Sequence, residues 1–289
     1  MPNDPRDQSA PSSPADPREQ SPGGTGTSPG QESRPGAEAE RDQSRPGGGA
    51  GPRQQPRPAM GADPRDDLVS CRGLTKEYRT AAGTVRALKL VDADFPAGQV
   101  TVVVGPSGAG KSSLLRILAC VDRPTAGSVR IGGLEVSMLG ARARRRVRRE
   151  LVGYVFQQPG DNLLPYLDAA GHLELSARLR GREAPEAAQR LLDVLGLSHR
   201  ASFMPAQLSG GEQQRLAFAA AVIGGPALVV ADEPTAELDH HAGESLLQAI
   251  GDLRAEGTSF LVSSHDQAVV RVADRVLQLH DGAVVKEVA

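Results

Sequence analysis

The chain has 289 residues, a formal net charge of -2 and two cysteines. That charge balance excludes a general nucleic-acid binder, and Cys71 and Cys120 have neither metal-ligand spacing nor a disulfide-rich setting. No apolar run approaches the ~18 residues of a membrane helix, and the early acidic residues without an apolar stretch exclude a secretory signal.

Residues 1–66 are rich in Pro, Gly and Ser and contain no Phe, Tyr, Trp, Leu, Ile or Val. Such a segment cannot bury enough apolar area to offset its ordering entropy. It is expected to be a disordered tail, either a tether or a solubilising extension. Leu68 and Val69 open the first strand, so the folded domain is expected over residues 67–289, long enough for a sizeable core.

Alternating apolar residues in LVSCRGLTKEYRT and VRALKLVDADF predict two strands, with Ala81–Gly83 as the turn between them. Tyr78 ends the first. Two readings stay open for it: a packing aromatic at a strand end, or a ring that stacks on a nucleotide base.

The apolar run Val100–Val104 predicts a short buried strand, and glycines follow at once in GPSGAGKSS, Gly105 to Ser113. KSSLLRILA then starts a helix. Strand, glycine turn and helix are the context that a G-x-x-x-x-G-K-[ST] motif requires. Gly105, Gly108 and Gly110 let the backbone fold closely round an anion, with Pro106, Ser107 and Ala109 completing the binding loop and successive N–H groups and the helix N-terminus aimed at phosphate. Lys111 reaches the outer phosphates and the Ser112 hydroxyl can ligand Mg²⁺. Ser113 belongs to the loop without a separate role.

DRPTAGSVRIGGLEV predicts a turn, a strand and a glycine pair. Ala141–Glu150 is a strongly basic helical stretch, read as a solvated face or as a contact for anionic lipid headgroups. The strand Leu151–Phe156 delivers Gln157 to its C-terminal end, where open α/β sheets bind ligands and metals. From about 161 to 222 the apolar spacing is helical and no strand is predicted.

Pro226–Pro234, PALVVADEP, is a buried strand that ends in two acids. Carboxylates there are costly unless they meet a cation or a ligand. Asp232 fits a Mg²⁺-side carboxylate, and Glu233 fits a base that activates water. A helix is expected over about Ala242–Glu256. TSFLVSS then leads to His265, read either as a capping or surface residue or as a group that contacts a terminal phosphate and holds the water or the acid. VLQLHDGAVVKEV closes as a hairpin turning at Asp281-Gly282.

LSGGEQ, Leu208 to Gln213, is a very specific string. With it, residues 67–289 resemble the nucleotide-binding subunit of ATP-binding-cassette transporters, nearest the lipoprotein-release, macrolide-export and cell-division group. The resemblance implies a P-loop α/β fold with a β-rich N-terminal subdomain and a helical subdomain at about 161–222. It implies that Tyr78 stacks on adenine and that Gln157 senses Mg²⁺ and the membrane partner. Ser209, Gly210 and Gly211 would complete the ATP site of a second copy, with Ala236–Asp239 as the loop crossing between the two. The expected activity is hydrolysis of ATP to ADP and phosphate with Mg²⁺. The expected assembly is a homodimer on the cytoplasmic side of the plasma membrane, attached through a separate integral membrane permease and driving transport. An ATP-switched regulatory module acting through a membrane partner would use the same residues.

Three positions depart from the family pattern. Ala220 replaces an arginine common after the LSGGEQ string. Gly171 and His172 stand where Glu and Asn are usual. Glu237 takes the place of a small or amide residue in the crossing loop.

Overall fold

The computed structural model describes residues 67–81 and 83–288, so the tail expected over residues 1–66 lies outside the described part. Strands β1 (Asp67–Thr80) and β2 (Gly83–Pro96) form a long antiparallel hairpin. β3 (Val100–Val104) is buried, and the glycine loop carries the chain from it into α1 (Lys111–Leu118). β4 (Ala126–Ile131) and β5 (Leu134–Glu135) return to the hairpin, giving an antiparallel sheet of order β2-β1-β4-β5.

The basic stretch is α2 (Ala141–Leu151), and it has two faces. Val147 is buried, whereas Arg142, Arg145, Arg146 and Arg149 recur at helical spacing on the exposed side. Arg148 turns inward, donating to the Cys120 carbonyl at 2.6 Å. β6 (Val152–Val155) follows. The next strand is β7 (Leu228–Asp232), and between them lie α3 (Ala169–Leu179), α4 (Pro185–Val194) and α5 (Gly210–Val222), joined by short 3-10 turns.

α6 (His240–Ala255) begins two residues earlier than its apolar pattern suggested, because Asp239 caps it by accepting from the Ala242 N–H at 2.9 Å. β8 (Ser259–Ser263) leads to a helix the sequence pattern did not reveal, α7 (Gln267–Arg271), whose cap is Asp266. Five residues are too few for a readable apolar period. β9 (Arg275–His280) and β10 (Ala283–Val288) form the closing hairpin. Its turn residues Asp281 and Gly282 both have positive φ, 46° and 76°, as the tight hairpin turn demands.

The second sheet has the order β10-β9-β3-β8-β7-β6, parallel apart from the β9-β10 pair. Its central strands are covered on both sides. Val103, Leu228, Val230 and Leu261 pack with α1 and the antiparallel sheet. Val102, Val229, Ala231, Phe260 and Val262 pack with residues of α3, α4, α5 and α6. This explains the unbroken apolar runs: a strand buried on both faces has no polar alternation to show. Cys71 and Cys120 belong to the first cluster, where burial pushes their thiols up to about 12 and about 11, so both are inert core residues.

Candidate active site

Register brings the functional loops to one edge. Val103 pairs with Ser263, Asp232 with Ser263, and Val155 with Ala231. The C-terminal ends of β3, β8, β7 and β6 are therefore level and adjacent. The segments leaving them carry Gly105–Ser113, His265, Glu233 and Gln157 respectively. Ligands of open parallel sheets bind at that edge.

Two glycines in the loop are dictated by packing. Gly105 has φ 151°, and a Cβ there would stand 2.2 Å from the Leu279 carbonyl oxygen. Gly110 has φ 101°, and its Cβ would stand 2.4 Å from the Ala87 carbonyl oxygen. The loop is thus pinched between β9 and β2. Gly110 also serves as the cap residue of α1 and offers no side chain to the helix's first N–H groups, leaving that end suited to an anion. Lys111 Nζ donates to the carbonyls of Gly105 at 2.8 Å and Pro106 at 3.4 Å, arching over the loop.

Ser112, Gln157 and Asp232 line one cleft of about 210 Å³, together with Arg116, Tyr154 and Asp161. Asp232 is buried and accepts from the equally buried Ser263 hydroxyl. Burial first, and then the Asp232 charge, push the Tyr154 phenol up. The three donors are hard oxygens, which suits Mg²⁺. Among the described residues no group of three or more His, Cys, Asp or Glu could hold a metal by itself. A Mg²⁺ ion here would need phosphate oxygens to complete its shell, and this donor set fits that requirement.

Glu233 is one of four non-glycine residues with positive φ among the described residues, at 50°. Ser263 fixes it there: the Glu233 N–H lies 3.0 Å from the Ser263 hydroxyl oxygen and 3.1 Å from its carbonyl oxygen. The Glu233 carboxylate meets His265 Nδ1 at 3.0 Å, with the imidazole mostly exposed. A non-glycine residue held in the left-handed region is costly and clusters at functional sites. Ser263 touches both acids, yet nothing in the sequence singled it out beyond its place at a strand end.

Tyr78 does reach the loop. Its hydroxyl lies 3.3 Å from Ser113 Oγ and from Asp122 Oδ2. The Lys76 ammonium sits 4.8 Å from the ring centre, and it is itself held by Asp122 at 3.0 Å and the Arg123 carbonyl at 2.8 Å. Ser113 thus acquires a role, as the loop's contact with Tyr78. Sequence reading missed Lys76 and Asp122, which lie near Tyr78 and the loop along the chain but far from each other.

Ser209, Gly210 and Gly211 do not line the cleft. They form the start of α5, with Ser209 and Gly210 exposed and Gly211 half-buried; there Ser209 and Glu212 cap each other reciprocally and Arg200 pairs with Glu212 at 2.9 Å. The departures at 171 and 172 form one local cap on α3. Asp168 accepts from the Gly171 N–H at 2.7 Å, and a Cβ at Gly171 would stand 2.9 Å from that carboxylate. Buried His172 accepts from the Leu164 N–H through Nε2 at 2.8 Å and reaches the Asp168 carbonyl through Nδ1 at 2.7 Å. Nothing in the structure explains Ala220.

A family model described as ABC transporter matches residues 88–236. The macrolide export ATP-binding/permease protein MacB of Rhodopseudomonas palustris strain HaA2 is 42% identical over 222 residues, 76% of this chain and 34% of that protein. MacB of Escherichia coli strain K12 is 38% identical with the same coverage, so the chain spans about a third of the length of these relatives. Among solved structures, the dimeric post-hydrolysis state of the ATP-binding cassette MJ0796 bound to ADP and phosphate has a TM-score of 0.73 at 35% identity, covering 76% of this chain and 98% of that one. A second dimeric structure of MJ0796, described as a bacterial ABC transporter cassette, has a TM-score of 0.71 at 36% identity. With its glycine loop, its paired acids and these relatives, the chain belongs to the ABC transporter family as an ATP-binding, ATP-hydrolysing domain.

Proposed function

We propose that two copies of this chain close head to tail around two Mg²⁺-ATP molecules, and that closure and hydrolysis drive a separate integral membrane permease. The observation that carries this reading is the division of the site. Ser112, Gln157 and Asp232 share one cleft, while Ser209–Gly211 lie outside it at the start of α5. A second copy would supply the missing donors, and the dimeric MJ0796 structures favour that arrangement.

Each residue then has a task. Gly105, Pro106, Ser107, Gly108, Ala109 and Gly110 wrap the phosphates, with Ser113 anchoring Tyr78 against the loop. Lys111 leaves the loop carbonyls for the outer phosphates, and Tyr78 offers adenine the ring face away from Lys76. Ser112, Gln157 and Asp232 would hold Mg²⁺, which would supply neutralising charge for the phosphate oxygens. Glu233 accepts a proton from the attacking water, and His265 holds that carboxylate and faces the terminal phosphate. Ser209, Gly210 and Gly211 present backbone donors to the partner copy's ATP.

Among the described residues no helix is long and apolar enough to cross a membrane. The MacB relatives are named for both an ATP-binding and a permease part. That pairing supports a peripheral position at the cytoplasmic face of the plasma membrane, through the permease. Sedimentation of Glu233→Gln tests the assembly. Mg²⁺-ATP should convert it to the mass of two copies, and a single-copy mass at saturating ATP would overturn the reading.

A further inference from the structure

Glu237 lies in the loop between β7 and α6, exposed to solvent. A Cβ built at Gly210 would meet only one atom beyond its neighbours within 4 Å, Glu237 Oε2 at 3.8 Å. A Cβ at Gly211 would meet Glu237 O at 3.2 Å, Leu238 Cδ2 at 3.5 Å and Arg215 Nη1 at 3.7 Å. The loop therefore lies across the first turn of α5, with its backbone against Gly211 and its carboxylate over Gly210.

The charges on this turn are not evenly matched. Glu212 is answered by Arg200 at 2.9 Å and by the Ser209 N–H at 2.8 Å, and these hydrogen bonds hold its carboxyl below the usual range. Glu237 makes no ion pair with any basic side chain among the described residues. Arg215 leans toward Gly211, and its Nε has no hydrogen-bond partner there. The start of a helix attracts an anion. Glu212 caps this one from within the turn, and the unpaired Glu237 carboxylate stands beside it, over Gly210.

We propose that Glu237 is an electrostatic gate on the Ser209–Gly211 face. In the nucleotide-free chain its carboxylate occupies the field that the partner copy's terminal phosphate must enter. Closure then requires the carboxylate to swing away from Gly210. The gate rests on the shared-site reading above, and it sets how much ATP the two copies need before they close. Two like charges a few ångströms apart at a solvent-exposed seam repel, and salt screens that repulsion within a Debye length of ~8 Å. The gate should therefore weaken as ionic strength rises.

The test compares Glu233→Gln with the double variant Glu233→Gln, Glu237→Gln, using the full chain and Mg²⁺-ATP. Sedimentation reads the ATP concentration that gives half dimer, at low and at high salt. Glu237→Gln keeps the shape and removes the charge. It should lower the midpoint about tenfold at low salt, a change equivalent to ~1.4 kcal/mol. The difference should shrink at high salt, which a purely structural role for Glu237 would not produce. Dimers with equal midpoints, or a midpoint raised by the substitution, would overturn the gate and leave the shared site standing. Failure of both proteins to dimerise would overturn the shared site and the gate with it.

Discussion

Replacing Ser263 by Ala isolates one hydroxyl that serves both acids of the site. Ser263 is fully buried, and it donates to Asp232, which is also buried. Its oxygen also lies 3.0 Å from the Glu233 N–H. Removing it costs Asp232 a charge-assisted hydrogen bond in a dry setting, about 2 kcal/mol. The Glu233 N–H keeps the Ser263 carbonyl at 3.1 Å, so no backbone donor is orphaned and the loss should not grow much beyond that. For a domain of this size ~2 kcal/mol lowers Tm by roughly 4–8 °C. Catalysis should suffer separately, because Glu233 at φ 50° loses one of its two restraints. ATP turnover should fall, with a smaller loss of Mg²⁺-ATP affinity through Asp232, since the Gly105–Ser112 loop is untouched. Thermal melting without nucleotide and steady-state phosphate release read the two effects. Wild-type melting together with wild-type turnover would refute the coupling of the two acids through Ser263.

Lys111→Ala should abolish measurable ATP affinity without lowering Tm, because the Nζ contacts only loop carbonyls; unchanged affinity by titration calorimetry would contradict its assignment. Gly110→Ala should destabilise the domain by several kcal/mol, ~1–2 from the left-handed backbone and the rest from a Cβ built 2.4 Å from the Ala87 carbonyl; a melting curve like wild type would contradict the pinched loop. Glu212 has a folded-state pKa below its ordinary 4.5, so its cap on α5 is present above that value and lost as pH falls through the lower, folded one. Protection of the Ser209 and Glu212 amides from exchange, relative to an unfolded chain at the same pH, should therefore fall in acid, and Glu212→Gln should blunt that dependence.

Much of this architecture is legible in the chain because it is written locally. The apolar runs at Val100–Val104 and Leu228–Asp232 declare strands buried on both faces, and the residues that end them carry the chemistry. The glycines of the loop mark where backbone must pass close to backbone, as the Leu279 and Ala87 carbonyls make plain. What stayed hidden is long-range. Lys76 meets Asp122 across 46 positions, and Ser263 meets Asp232 across 31. No period or spacing encodes such pairs, since tertiary packing alone decides them. Gly171 and His172 were legible only as departures from a family pattern, with no sign of what they build. They form one self-consistent cap, in which the small residue makes room for Asp168 and the imidazole ties Leu164 to α3. Glu237 looked arbitrary until the fold placed it over Gly210.

Whether ATP is held between copies can be read from a cysteine pair. Ser107 and Ser209 are both exposed, and the native thiols of Cys71 and Cys120 are buried and pushed up to about 12 and about 11, so only introduced thiols will react. In the Glu233→Gln background, mixing a Ser107→Cys chain with a Ser209→Cys chain and adding a short thiol cross-linker gives a direct readout. A cross-linked species of twice the chain mass that forms only with Mg²⁺-ATP is the predicted result. No cross-link at saturating Mg²⁺-ATP, or an equal yield without nucleotide, would contradict it.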